Sequence, residues 1–209
     1  MKTLTLIFLA LCSLNGFANE KINCPQILKN IGSFSQVESP VKVTPQIPED
    51  GIIQEFSIKI LKRENGELLH PKTLKESVCV LDIMLDSKTR EALRQGVNEY
   101  LSSTPTGLPE ENFNKLWGSI NNRLNALYVN SAMVKNTGVN LILARMEEQL
   151  DIRLFGGAAN HSPLQKQAAK EGIYNPNLVA RWVWVVYLKY LDVEGFDEKP
   201  FISYLKSLD

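Results

Sequence analysis

The segment PNLVARWVWVVYLKYL, residues 176–191, decides the fold. From Trp182 to Leu188 it is apolar throughout and rich in Val, Trp and Tyr, so composition alone fits a buried strand as well as a buried helix. Its start and its length favour the helix. Asn175 offers an N-cap, Pro176 suits a first turn where its missing N–H is no loss, and the run exceeds the usual strand. Val179, Trp182, Val183, Val186 and Tyr190 share one helical face, while Trp184, Val185, Leu188 and Leu191 spread over the rest. No broad polar side remains, which predicts a central buried helix with Arg181 and Lys189 reaching solvent along their aliphatic stems.

The same punctuation recurs outward from this segment. Ser162-Pro163 starts a short helix that Gly172 closes, and a last helix is expected over Lys199–Leu208. Upstream, Thr73-Leu74-Lys75-Glu76 is a capping box ahead of Leu74, Val78, Leu81 and Leu85 at helical spacing. Asp86 caps a second helix carrying Leu93, Val97 and Tyr100. Gly107 and Pro109 interrupt before the clearest amphipathic stripe, Phe113, Leu116, Trp117, Ile120, Leu124, Leu127 and Tyr128, with Asn121, Asn122, Arg123 and Asn125 largely opposite. A further helix is expected through Leu141–Leu150, ended by Gly156-Gly157.

Residues 19–51 carry Pro25, Pro40, Pro45 and Pro48 and read as an extended arm with a short helix at Gln26–Ile31. Phe56, Ile58 and Ile60 alternate with Ser57 and Lys59 as a half-buried strand does. Asn65-Gly66 is a tight-hairpin pair, which would return the chain along Glu67–His70. The expected organisation is therefore a signal peptide over 1–18, an extended arm with a β-hairpin over 19–70, and a helical domain over 71–209. The fold class is mainly α, a single-domain helical bundle with a short N-terminal arm or hairpin.

The signal-peptide reading rests on Lys2, the apolar run Leu4–Leu14 and the small residues of Gly16-Phe17-Ala18, with cleavage expected after Ala18. The run is shorter than the roughly 20 residues a membrane span needs, and Leu11 stands where a lipidated Cys12 would want a small residue. Removing residues 1–18 takes only Lys2 from the charged set, leaving 22 Lys plus Arg against 23 Asp plus Glu. That balance argues against nucleic-acid binding, which relies on clustered cations. An apolar fraction of 44% is enough for a packed core. Two cysteines remain, Cys24 and Cys79, and in an oxidising compartment they are expected to pair; the alternative is a buried free thiol at Cys79.

Pro71-Lys72-Thr73-Leu74-Lys75-Glu76-Ser77, Leu81-Asp82 and Leu85 form one recognisable set. Leu154-Phe155-Gly156-Gly157, Ser162-Pro163-Leu164-Gln165-Lys166, Gly172-Ile173-Tyr174-Asn175-Pro176 and Tyr187-Leu188-Lys189-Tyr190-Leu191 form another. Together, over Pro71–Leu85 and Leu154–Leu191, they resemble a small helical bacterial domain of unknown function often found behind signal peptides. The resemblance implies a helical fold and an envelope location, and it supplies no site.

The chain contains no P-loop, Gly-x-Gly-x-x-Gly, Gly-x-Ser-x-Gly, Cys-x-x-Cys or His-Glu-x-x-His motif. Two histidines, His70 and His161, are too few for an ordinary zinc site once the cysteines are paired, so no metal, no cofactor and no catalytic residue is assigned. The most site-like segment is the polar loop Gly156, Gly157, Asn160, His161 and Ser162, although helix punctuation accounts for all of it. Glu110-Glu111 read as helix-start charges, Glu147-Glu148 as a solvated face, and Trp117, Trp182 and Trp184 as core. The expectation is an exported, non-enzymatic module whose partner is another protein, with no nucleic acid and no membrane span in the mature chain. The alternatives are an envelope hydrolase using carboxylates brought together by folding, or a small-ligand carrier lined by the tryptophans.

Overall fold

The computed structural model describes residues 21–43, 54–103, 107–128 and 163–209. Residues 1–18, read in the sequence as a signal peptide, the loop at 156–162 and the helix expected through Leu141–Leu150 lie outside them. The described chain is mainly helical, with α1 Cys24–Ile31, β1 Ser35–Val43, β2 Gln54–Lys62, α2 Leu74–Met84, α3 Ser87–Ser102, α4 Pro109–Tyr128, α5 Pro163–Lys170, α6 Pro176–Tyr190 and α7 Lys199–Ser207.

Helix starts follow the side chains that can satisfy their free amides. Thr73 Oγ1 accepts from Glu76 N at 3.2 Å and Asp86 Oδ1 from Thr89 N at 2.6 Å. The Glu76 carboxylate reaches back to Lys72 N at 2.6 Å, one residue further upstream than a capping box usually does. The Leu74 N–H is taken by Gln167 Oε1 of α5 at 2.8 Å, a partner 93 residues away that no local pattern announces. Asn175 Oδ1 caps α6 through Asn177 N at 3.0 Å, and the Asp209 carboxylate accepts from Tyr174 N and Asn175 N. Gly172, at φ +80°, ends α5: its N–H bonds Ala169 O and the Ile173 N–H bonds Ala168 O.

The arm differs from the hairpin read in the sequence. Asn65-Gly66 does turn the chain, with Gly66 at φ +83° and Arg63 N donating to Glu67 O at 2.8 Å. The returning residues contribute only a bridge from Leu68 to Lys62 and the Leu69 N to Leu61 O bond. The long partner of β2 is instead β1, antiparallel from Ser35↔Lys62 to Val43↔Gln54, within the stretch read as an extended arm. Pro40 is tolerated for a reason the register supplies. Leu61 turns its carbonyl toward Leu69 and away from β1, so Ser57, two pairs along on the same side, also turns its backbone away from Pro40. The missing N–H of Pro40 therefore faces the outer edge of β1, where it interrupts the row of groups that another strand would need.

One continuous core joins both parts. Ile58, Ile60 and Leu61 of β2, with Leu69, pack with α2, and α2 packs in turn on α6. On α6, Leu178, Val179, Trp182, Val183, Trp184, Val185, Tyr187 and Leu188 are buried, while Arg181 and Lys189 are exposed. Lys189 Nζ donates to Phe196 O at 2.9 Å and faces Glu198 at 3.7 Å. The α4 stripe buries Phe113, Leu116, Ile120 and Leu124, but Leu127, expected on the same stripe, is exposed. Phe113 meets Tyr204 and Phe201 of α7 at ring distances of 5.3 and 6.1 Å.

The α3–α4 contact depends on Gly96. A Cβ there would lie 2.6 Å from the Ile120 Cα, a backbone atom that no rotamer change can move. Gly96→Ala should therefore destabilise although alanine is the better helix former. Overpacking costs about 1–3 kcal/mol and helix propensity returns up to about 1. A urea midpoint at or above that of the parent chain would contradict this packing.

Candidate functional site

The described residues bring together a half-buried polar cluster at the edge of the core. Asp82 interrupts the run Val78–Leu85 on α2, where a carboxylate is costly unless partnered. Its partners come from two other helices. Tyr187 donates its hydroxyl to Asp82 Oδ1 at 3.2 Å and Tyr190 donates to Oδ2 at 3.4 Å, both from α6. From α3, Arg90 Nη1 lies 3.4 Å from Oδ1 and donates to the Asp82 backbone carbonyl at 2.7 Å. The rings of Tyr187 and Tyr190 stack at 5.8 Å, and Trp184 meets Tyr187 edge-on at 5.8 Å.

The electrostatics follow from this placement. Burial, followed by the Asp82 charge and the hydrogen bond to it, pushes the Tyr187 phenol well above its ordinary value. Tyr190 is raised by the same causes in the same order, opposed by Arg90 and Arg94. Both phenols stay protonated as donors at neutral pH, so neither supplies a phenolate base or nucleophile. Each Asp82 oxygen already accepts a bond, and the arrangement is suited to joining α2, α3 and α6.

Two outcomes follow for Tyr187. Its raised phenol stabilises the fold fully below the unfolded-state value near 10, and this contribution is lost as pH rises beyond it, because the unfolded chain releases the proton first. Chemical denaturation should thus give a stability that is insensitive to these groups at neutral pH and falls above about pH 10. Tyr187→Phe should cost about 1.5–3 kcal/mol at pH 7, the range for a hydrogen bond to a charged group, and should make the alkaline fall shallower. An unchanged alkaline slope in the variant would assign that fall to other tyrosines.

The residues singled out in the sequence are placed as follows. Cys24 and Cys79 are disulfide-bonded, with Cα atoms 5.2 Å apart. Gly156, Gly157, Asn160, His161 and Ser162, with Glu147 and Glu148, lie outside the described residues. Glu111 accepts from Leu108 N at 3.1 Å, a capping role at the start of α4. Trp182 and Trp184 are 1% and 4% exposed within the core, and Trp117 is half-buried against Phe113. His70 is half-buried, its Nδ1 without a hydrogen-bond partner among the described residues. No group of three or more His, Cys, Asp or Glu among the described residues could hold a metal ion, and none of their helices is long and apolar enough to cross a membrane. The sequence reading missed Arg90 and the pairing of Asp82 with the tyrosines; the available signal was a lone carboxylate in an otherwise apolar helix face.

Fold and cluster together define a mainly helical domain fastened by a disulfide and by one Asp–Tyr–Tyr–Arg junction. No family model, curated protein or solved structure matches the chain, so its likeness to the small helical envelope domain rests on the quoted residues alone.

Proposed function

We propose that the mature chain is an exported, non-enzymatic protein-binding module of the bacterial cell envelope, of the kind that occupies a partner as an immunity or accessory protein does. The observation that carries the location is the Cys24–Cys79 bond, since disulfides persist in oxidising compartments and are rare in the cytosol. The signal-like residues 1–18 point the same way. Binding is favoured over chemistry by how the polar groups are used: Asp82 is committed to Arg90 and two phenols, and Glu111 to a helix start. Tyr174, 72% exposed beside the entry to α6, is the kind of aromatic that anchors protein interfaces.

Two measurements test the reading. Residues 1–18 fused to alkaline phosphatase should give activity in intact cells, and an inactive fusion retained in the cytoplasm would remove the envelope location. A photo-crosslinking residue at position 174 should give one discrete protein adduct in native envelopes, competed away by purified mature chain. Smears or no adduct at 174, with the same result at other exposed positions such as Lys59, would count against a protein partner.

A further inference from the structure

On α2, Ser77, Val78, Cys79, Val80 and Leu81 are all buried. Successive helix residues point about 100° apart, so such a run needs cover on every side. α6, β2 and α1 all pack on this helix, and they are held very differently. α6 contributes eight buried side chains, and β2 contributes Ile58, Ile60 and Leu61. α1 fully buries only Cys24; its Ile27, Leu28 and Ile31 are half-buried, and Ile31, with Ile22 and Phe34 flanking the helix, packs against the core. Side-chain hydrogen bonds here stay within the helix end and are exposed: Gln26 N donates to Asn23 Oδ1 at 3.3 Å and Gln26 Nε2 to Asn30 Oδ1 at 3.1 Å. A helix of eight residues has little stability of its own. Beyond it stands Gly32, at φ +95° with no atom within 4 Å of where a Cβ would be, before the chain enters the β1–β2 ladder.

We propose that α1 is a strap latched onto α2 by the Cys24–Cys79 bond, and that reduction by a dithiol lets it swing out about Gly32 while the rest of the domain stays folded, baring an apolar face of α2. The step balances as ordinary exchange. One thiolate of the dithiol attacks a cystine sulfur and forms a mixed disulfide, its second thiolate resolves that bond, and the dithiol leaves as a cyclic disulfide. Two electrons pass to the cystine, and the two protons end on Cys24 Sγ and Cys79 Sγ. Both cysteines are buried, so attack follows fraying at the Asn23–Cys24 end of the strap. The inference goes beyond the binding reading and does not depend on it.

Hydrogen exchange read by mass spectrometry on the mature chain, oxidised and after dithiothreitol, tests it, with Cys24→Ser as a reagent-free counterpart. Amides of α1 should exchange at least about tenfold faster in both reduced and variant forms while those of α6 keep their protection. In Cys24→Ser, the Cys79 thiol should become open to iodoacetamide without denaturant. Unchanged protection of α1 would show that non-covalent packing holds it. Loss of protection spreading through α2 and α6, or failure of the variant to fold, would show that the bond secures the whole domain. Either result overturns the strap.

Discussion

Trp182→Ala is expected to lower stability by about 3–5 kcal/mol, the range for removing a large aromatic from a closed core. The indole is 1% exposed on α6, between neighbours that are themselves buried, so the vacated volume cannot fill with water or be closed by a surface rearrangement. For a domain of this size, each kcal/mol moves the thermal midpoint by about 2–4 °C, which places the loss at about 6–20 °C. Trp117→Ala should cost clearly less, since that ring is only half-buried at the margin of the core, where it meets Phe113 edge-on. Calorimetry on the two variants checks the contrast. A Trp182→Ala chain that keeps its midpoint would mean that α6 is not the centre of the core.

Loss of the Cys24–Cys79 bond should be the second large effect. The cysteines are 55 residues apart, and the chain-entropy argument assigns about 4 kcal/mol to a closed loop of that length. About 4 kcal/mol is the ceiling here, because a folded chain whose α1 swings free regains part of the same entropy. Urea denaturation of the Cys24→Ser chain should show a lower midpoint. A value equal to the oxidised parent would mean that the unfolded chain gains nothing from being released.

The helices were legible because their signals are local. Thr73, Asp86, Asn175 and Gly172 each act on amides or carbonyls within a turn of themselves, and each does so in the structure. The pairing of Cys24 with Cys79 was legible for another reason: once Cys12 is set aside with the expected signal peptide, one intramolecular bond is left to make. The β-ribbon was half legible. The alternation at Ile58 and Ile60 marked β2, but Asn65-Gly66 pointed to the wrong partner, because a turn specifies reversal and not how many pairs follow it.

Local signals in the sequence were enough to place the starts of α2, α3, α5 and α6, the burial of α6 and the joining of Cys24 to Cys79. Tertiary structure alone decided which strand β2 pairs with, that Gly96 must leave room for Ile120, and that Gln167 satisfies Leu74. It also brought Tyr187 and Tyr190 to Asp82 across 105 and 108 residues of chain. The physical reason is the same for each. Caps and periodicity are interactions between neighbours along the chain, whereas strand choice, close helix approach and partners for a half-buried charge depend on which surfaces meet once the core has closed.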